Sequence, residues 1–229
     1  LNAIFQLSCL PDWMKQMRDY IKFIQEKDPA NPTLSEVIFS YPSFHMMVIF
    51  HPLAHWLWSK GLKGIGRFWA HIGRIITGIE IHPGAKIGHN LFIDHGMGTV
   101  IGETAEIGDN CLIYHGVTLG GRSAKETQNG RRHPRLGDDV MVGAGAQILG
   151  PVMIGDKARI ASGSLVVRDV QSKDTVIGIP ARPLGEFQIK GSAYGLPTGF
   201  YKASDPLMER INKLEQDLAR IKKQKDKAS

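Results

Sequence analysis

The segment 81–120, IHPGAKIGHNLFIDHGMGTVIGETAEIGDNCLIYHGVTLG, carries a small or aliphatic residue at every sixth position. After an interruption, the same repeat runs from Leu136 to Val166. The residues at this phase are Ile81, Ile87, Ile93, Thr99, Ala105, Cys111, Val117, Leu136, Val142, Ile148, Ile154, Ile160 and Val166. Neither an amphipathic helix nor an alternating strand repeats at six. A fixed hexapeptide period is typical of a parallel β-helix.

Three hexads make one triangular coil, so residues eighteen apart are predicted to stack at a strand spacing of about 4.8 Å. This register would stack Glu80 near Gly98, three residues from His95. Cys111 falls at the inward phase and is predicted to be a small buried side chain. The break in the repeat predicts thirteen inserted residues within 121–134, a polar loop. A loop that protrudes from a rigid solenoid is a place where function is expected.

The chain divides into a helical cap (1–78), a β-helix (79–185) with the loop 121–134, and a C-terminal extension (186–229). The cap is predicted to cover the first coil, whose strand edges would otherwise invite pairing. Apolar spacing, prolines and capping signals predict its helices. These helices are expected over 11–27, from a Thr33–Glu36 capping box onward, over about 43–59 with a kink at Pro52, and over 63–77 ending at Gly78.

The C-terminal extension is predicted to contain a helix that starts at Ser204. Its apolar residues follow the alternating spacing of four and three that is typical of a coiled coil. They are Leu207, Ile211, Leu214, Leu218 and Ile221. Two interpretations remain open, namely a short coiled coil along a threefold axis and a helix that packs on its own prism.

The composition is that of a soluble globular protein, with 42% hydrophobic and 22% charged residues among 229. The net charge is +6, of which residues 219–229 supply +4, so a solvated tail is favoured over a nucleic-acid surface. Two distant cysteines suggest no disulfide framework. The apolar run 44–58 is too short for a bilayer, and 1–10 lacks signal-peptide features. A cytoplasmic protein is expected, and the missing initiator Met leaves its true N-terminus open.

Two histidine clusters could carry chemistry, one at His82 and His95 and one at His133. A carboxylate such as Glu80, one coil away from an imidazole, can fix its tautomer and stabilise the imidazolium. An imidazole held in this way can act as general base for an alcohol. The competing interpretation is a satisfied structural histidine. No Cys or Ser is presented as an acyl carrier, so direct transfer is favoured over a covalent intermediate.

A zinc site made of His82, His95 and His115 is a further alternative. It is disfavoured, because these histidines lack the two-close, one-distant spacing of hexapeptide carbonic anhydrases, and no metal is expected. His115 falls at a second inward phase and is predicted to be structural or interfacial.

From about Asp28 to Gly185, the chain resembles the bacterial serine acetyltransferases. The DHG, VTLGG and RHP motifs together carry the resemblance more specifically than the hexads do. The matching segments are 28–30 (DPA), 55–58 (HWLW), 81–83 (IHP), 93–96 (IDHG), 100–104 (VIGET), 117–121 (VTLGG), 132–134 (RHP), 142–146 (VGAGA) and 178–182 (GIPAR).

The resemblance implies a left-handed β-helix and transfer of acetyl from acetyl-CoA to the hydroxyl of L-serine, the first step from serine to cysteine. It implies that His95 is the base and Glu80, where many members carry Asp, its carboxylate partner. It also implies two sets of binding residues and no tightly bound cofactor. The sets are Asp28, Asp94, Arg132 and His133 for serine, and Gly121, Ala144 and Arg159 for a CoA groove between adjacent prisms of a trimer.

The resemblance further implies a homotrimer or a dimer of trimers, feedback inhibition by L-cysteine, and O-acetylserine sulfhydrylase as a partner. Compared with enterobacterial members, the helical part before Ile81 is shorter and the chain ends in 226–229 (DKAS) instead of an isoleucine tail. Hexamer formation and the sulfhydrylase complex therefore stay open. Another hexapeptide acetyltransferase, acting on a sugar, antibiotic or amine, is the alternative enzyme. A non-catalytic scaffold is the alternative outside enzymes.

Overall fold

The computed structural model describes residues 12–122, 130–184 and Leu214. The chain separates into two compact units, 1–184 and 185–229. The predicted C-terminal helix lies outside the described residues, apart from Leu214, which is helical.

In the described residues, five α-helices precede the β-structure, and they confirm the predicted helical cap. They are α1 (Asp12–Lys27), α2 (Leu34–Ser40), α3 (Pro42–His45), α4 (His51–Ser59) and α5 (Lys63–Thr77). The capping box before α2 is present, because the Thr33 hydroxyl accepts from the Glu36 N–H while the Glu36 carboxylate accepts from the Thr33 N–H. Helix α5 ends at Gly78, whose φ of 72° lies in the left-handed region.

The helical segment 42–59 is interrupted by a π-helical turn at Met46–Phe50. This turn lies directly before Pro52, which occupies the first turn of α4. Proline has no N–H for the i→i−4 bond and its ring crowds the preceding turn, so a locally wider helix accommodates it. The predicted irregularity at Pro52 therefore takes the form of a π-turn.

None of the described helices is on its own long and apolar enough to cross a bilayer. Two consecutive helical segments are long and apolar enough when they are taken together, but they are bent by 69° relative to each other. They are Leu34–Ser40 and Pro42–Ser59.

Fifteen short strands follow in the described chain, and the first fourteen wind into a parallel solenoid. The first wall contains β1 (Glu80–Ile81), β4 (Val100–Ile101), β7 (Thr118–Gly120), β10 (Gln147–Leu149) and β13 (Leu165–Val166). The second wall contains β2 (Lys86–Ile87), β5 (Glu106–Ile107), β8 (Arg135–Leu136) and β11 (Met153–Ile154). The third wall contains β3 (Phe92–Asp94), β6 (Leu112–Tyr114), β9 (Met141–Val142), β12 (Arg159–Ile160) and β14 (Thr175–Gly178), closed by antiparallel β15 (Ala181–Pro183).

The predicted β-helix is confirmed, but the uniform eighteen-residue register is wrong in the first coil. Ile81 pairs with Ile101, twenty residues on, because the turn between Ile93 and Ile101 is two residues longer than a regular hexad. Glu80 therefore pairs with Val100 and not with Gly98, whose N–H donates to Gly78 O at 3.0 Å.

The inserted loop is also two residues shorter than predicted. Leu119 pairs with Ile148, twenty-nine residues on, so the loop adds eleven residues to an eighteen-residue coil. In the coil that follows the loop, the eighteen-residue spacing returns, because Leu136 pairs with Ile154. Both errors have one cause. Each hexad has two inward-facing positions, and the two extra residues before Ile101 move the count of every sixth residue from one of these positions to the other.

The residues of the predicted inward phase are buried, except Ile87, which is partly buried. Thr99 and Cys111 are fully shielded from solvent, as predicted for that phase. Burial raises the pKa of the Cys111 thiol to about 12, so this thiol stays protonated at neutral pH.

The cap covers the first coil, as predicted, and a network of hydrogen bonds joins the cap to β3. The Ser43 hydroxyl accepts from the Ile93 N–H at 2.9 Å. The Tyr20 hydroxyl donates to Leu91 O at 2.8 Å and lies 2.8 Å from Ser43 Oγ. These contacts satisfy backbone groups at the open end of the third wall, which would otherwise have no strand to pair with. They also fix the strand that leads into Asp94.

Candidate active site

The candidate site residues lie at two different corners of the prism. The turns between the third and first walls form the His95 corner, which comprises residues 95–99, 115–117 and 143–146. The turns between the first and second walls form the His133 corner, which comprises residues 82–85, 102–105 and the described ends of the loop, 121–122 and 130–134. The strands of the first wall run from one corner to the other.

His95 projects from the surface of its corner. Its backbone φ is 58° and that of Gly96 is 72°, so two consecutive residues adopt the left-handed region. A Cβ at Gly96 would come within 2.6 Å of the Ile79 side chain, so only glycine fits where this turn packs on Ile79. The tight turn leaves the His95 side chain 76% exposed and free to meet a substrate.

The carboxylate of Asp94 lies beside His95, and that of Asp28 is close enough to Asp94 to interact with its charge. Asp94 Oδ1 is 4.0 Å from His95 Nε2, near enough for electrostatic attraction and too far for a hydrogen bond. Loss of hydration raises the pKa of Asp94. The charge of His95 opposes this rise, and the charge of Asp28 adds to it. Asp28 therefore belongs to the same cluster, although it is distant in sequence. Its carboxylate accepts from the Tyr41 hydroxyl at 2.5 Å.

His115 lies one coil above His95, with ring centroids 5.7 Å apart and ring planes at 78°. It is exposed, so its predicted inward orientation is wrong. The physical reason is that residue 115 begins a corner turn, where the side chain points outward. His82 lies at the other corner, against Trp58 and the Gly84 N–H. Within 12–122 and 130–184, no group of three His, Cys, Asp or Glu side chains is placed to hold a metal ion.

Glu80 lies on the first wall, and its carboxylate forms an ion pair with Arg74 of α5 at 3.0 Å. In the described part of the chain, no hydrogen bond or ion pair joins Glu80 to His95. Both members of the Arg74–Glu80 pair are about half exposed, so the pair is weak and its side chains can rearrange.

His133 is held at the other corner by Thr104. The Thr104 hydroxyl accepts from the backbone N–H groups of Arg132 at 2.9 Å and His133 at 3.1 Å, and it lies 2.8 Å from His133 Nδ1. The Thr104 N–H donates to the same Nδ1 at 3.1 Å. A Cβ at Gly102 would overlap the His133 ring, so the glycine makes room for it.

These contacts determine the tautomer of His133. Since Nδ1 accepts the backbone N–H of Thr104, it carries no proton, and the ring proton lies on Nε2. Burial lowers the pKa of His133, and the charge of Arg132 lowers it further. A neutral imidazole that presents Nε2–H is a hydrogen-bond donor, suited to a carboxylate oxygen. A cavity of about 280 Å³ lies alongside, lined by residues that include Trp58, Thr104 and Arg131.

The residues predicted to line the CoA groove are spread over the prism. Gly121 is exposed at the end of the first wall nearest the His133 corner. Ala144 is half-buried in the His95 corner. Arg159 is exposed on β12 of the third wall. One chain thus brings Asp28, Asp94 and His95 together and Arg132 and His133 together, but it separates the two groups.

Sequence reasoning missed the roles of Thr104 and Tyr41. Thr104 lies in the VIGET segment but is twenty-nine residues from His133, so only the coil register shows that they meet. Tyr41 precedes a proline between two short helices, which marks a helix boundary and says nothing about Asp28. For both residues, tertiary contact is the only signal.

The described chain therefore combines a parallel solenoid with an exposed imidazole at a corner. A family model for bacterial transferase hexapeptide repeats (six repeats) matches residues 133–168. This match and the solenoid place the protein in the class of hexapeptide-repeat transferases.

More specific comparisons give the family. The serine acetyltransferase of Mycobacterium tuberculosis is 46% identical over 202 residues, 87% of this chain and 86% of that protein. The crystal structure of Neisseria gonorrhoeae serine acetyltransferase in complex with serine has a TM-score of 0.69 at 42% identity and covers 75% of this chain and 68% of that one. The crystal structure of the Brucella abortus serine acetyltransferase in complex with coenzyme A has a TM-score of 0.71 at 39% identity. This match covers 78% of this chain and 70% of that chain. The chain belongs to the serine acetyltransferases.

The tautomer of His133 can be tested through Thr104. Thr104→Val removes the hydroxyl, so we expect a loss of stability of about 1–3 kcal/mol and a rise in the pKa of His133. Thr104→Ser keeps the hydroxyl and should retain most of both properties. Urea unfolding would measure the stability, and nitrogen NMR of the imidazole would report the tautomer and the titration. A wild-type proton on Nδ1 at neutral pH would contradict the assignment.

Proposed function

We propose that the chain transfers the acetyl group of acetyl-CoA to the hydroxyl of L-serine, giving O-acetyl-L-serine and CoA. The observation that carries the proposal is the exposed His95, whose Nε2 faces Asp94 within a cluster that includes Asp28. A carboxylate beside the imidazole, with a second carboxylate close to the first, suits an alcohol that also bears an ammonium group. The relatives solved with serine and with coenzyme A support the same pair of substrates.

The ammonium group of serine binds between Asp28 and Asp94. It relieves their mutual repulsion and places the serine hydroxyl, two carbons away, next to His95 Nε2. A cation held between two partly desolvated carboxylates forms charge-assisted hydrogen bonds, stronger than neutral ones.

The carboxylate of serine binds Arg132 and His133. Arg132 offers the planar fork that matches a carboxylate, and His133 offers Nε2–H. These residues lie at the opposite corner of the same prism, across strands such as β4. The four residues Thr99–Gly102 alone span about 10 Å. Serine is too short to bridge both corners of one chain, so the His133 corner that serves it belongs to a neighbouring subunit. We therefore infer a trimer, with three sites between subunits.

In the chemical step, His95 takes the serine hydroxyl proton as the oxygen attacks the thioester carbonyl carbon. The tetrahedral intermediate collapses with cleavage of the carbon–sulfur bond. The CoA thiolate then takes the proton from the His95 imidazolium, which leaves His95 neutral and ready for another turnover. Glu80 stabilises the imidazolium, after its carboxylate rotates away from Arg74.

The groove for acetyl-CoA runs between adjacent prisms along Gly121, Ala144 and Arg159. Arg159 is exposed on the outer face of β12 and suits a phosphate. L-Cysteine has the same ammonium and carboxylate as L-serine with a thiol in place of the hydroxyl, so it competes for the same site. A cytoplasmic location fits this use of acetyl-CoA. The O-acetylserine sulfhydrylase partner and the dimer of trimers stay predictions.

A thiol-release assay across acceptors tests the reaction. With acetyl-CoA fixed, L-serine should give a kcat/KM well above those of a galactoside, chloramphenicol and L-homoserine. A preference for one of the other acceptors would assign the chain to another acetyltransferase activity. A folded protein that releases no thiol with any acceptor would favour a scaffold.

The base and its carboxylate are tested by two substitutions. His95→Ala should lower kcat by about 10²–10⁴-fold with little change in thermal stability, because the side chain is exposed and acts as general base. Glu80→Gln should lower kcat less, because the charge that stabilises the imidazolium is lost while the shape is kept. Near wild-type turnover in Glu80→Gln would remove Glu80 from the mechanism, and near wild-type turnover in His95→Ala would remove the base.

A further inference from the structure

Tyr41 makes a contact that the reaction described above does not use. Its hydroxyl donates to Asp28 Oδ2 at 2.5 Å, while Asp28 Oδ1 accepts from the Ala30 N–H at 2.8 Å. Both oxygens of the Asp28 carboxylate are therefore held. The Ala30 N–H belongs to the local turn after α1, whereas Tyr41 is the contact that comes from a distant part of the chain.

Tyr41 is itself held by the strand that leads to the base. Its ring packs on Phe92, with ring centroids 6.2 Å apart and planes at 33°. Phe92 is 1% exposed and lies on β3, two residues before Asp94. A rigid connection thus runs from β3 through the Phe92 and Tyr41 rings to the Asp28 carboxylate.

The charges around the hydroxyl keep it a donor. Removal from water raises the pKa of Tyr41, and the hydrogen bond and charge of Asp28 and the charge of Asp94 raise it further. The phenol therefore stays protonated at neutral pH and donates to Asp28. Without this donor, the Ala30 N–H would be the one remaining contact described for the Asp28 carboxylate, and its second oxygen could turn away from Asp94, whose charge repels it.

We propose that Tyr41 is a positioning residue that holds the Asp28 carboxylate beside Asp94, so that the pair selects acceptors that carry a free ammonium group. This inference rests on the proposed serine site and adds the residue that sets its specificity for an amine. The hydroxyl of Tyr41 touches no reacting atom and acts through Asp28.

A purely structural role for Tyr41 predicts a different pattern. In that case, loss of the hydroxyl would loosen the junction between the cap and β3 and would affect both substrates alike. Tyr20 is the matched control, because its hydroxyl also ties the cap to the strand, through Ser43 and Leu91 O, but does not contact Asp28.

The experiment compares Tyr41→Phe with Tyr20→Phe in the full chain. Tyr41→Phe should raise the KM for L-serine about tenfold, the effect of one charge-assisted hydrogen bond, with kcat and the KM for acetyl-CoA within about twofold of wild type. Tyr20→Phe should lower Tm without a selective rise in the KM for serine. The preference for L-serine over 3-hydroxypropanoate, which lacks the amine, should also fall in Tyr41→Phe.

A serine KM within twofold of wild type in Tyr41→Phe would overturn the proposal. So would equal rises in both KM values together with a Tm loss like that of Tyr20→Phe. Calorimetric binding of L-serine separates this inference from the reaction itself. If the wild type binds serine about tenfold more tightly than Tyr41→Phe yet releases no thiol, the positioning role stands and the proposed reaction fails. Equal affinities would refute the positioning role even if serine is acetylated.

Discussion

The stacking of coil on coil fixes where the candidate site residues of the prism lie. Strands β1 to β14 pair in parallel with the strands of adjacent coils, and the inward aliphatic residues align in columns beneath the walls. A residue in a corner turn has as its neighbours the residues at the same corner of adjacent coils. His115 lies over His95 for this reason, and His133 meets Thr104 for the same reason. Because the prism is rigid, it can hold the proposed base, His95, in a fixed place although the side chain is exposed.

The hexads predicted the solenoid and the buried thiol of Cys111, and apolar spacing with capping signals predicted the helical cap. The hexads did not predict the register of the first coil. Both inward positions of a hexad accept small or aliphatic residues, so two extra residues before Ile101 only moved the apparent phase and left no visible break. That shift moved the expected neighbour of Glu80 from Gly98 to Val100. The sequence did not predict contacts between distant elements, because the residue type of one partner does not indicate the other. Examples are Tyr41 with Asp28 and Glu80 with Arg74.

The two ends of the proposed serine site are built by different means. At the His95 corner, the cap matters as much as the prism, because α1 ends at the position from which Asp28 reaches the cluster and Ser43 pins β3. At the His133 corner, the inserted loop returns to the prism, and Thr104 binds its last residues through their backbone. In the proposed site, each corner supplies half of what an amino acid needs, one for the ammonium and hydroxyl and the other for the carboxylate. An assembly that brings unlike corners of two copies together would complete this site, and that is the chemical reason for the proposed trimer.

The shared site can be measured directly with mixed trimers. Subunits carrying His95→Ala are combined in equal amounts with subunits carrying both Arg132→Ala and His133→Ala, and activity is assayed at serine concentrations well below KM. If each site takes one corner from each of two subunits, random mixing leaves about one site in four intact, and about a quarter of wild-type activity should return although both parents are nearly inactive. Mixed trimers no more active than their parents would contradict the account, because the site would then lie within a single chain.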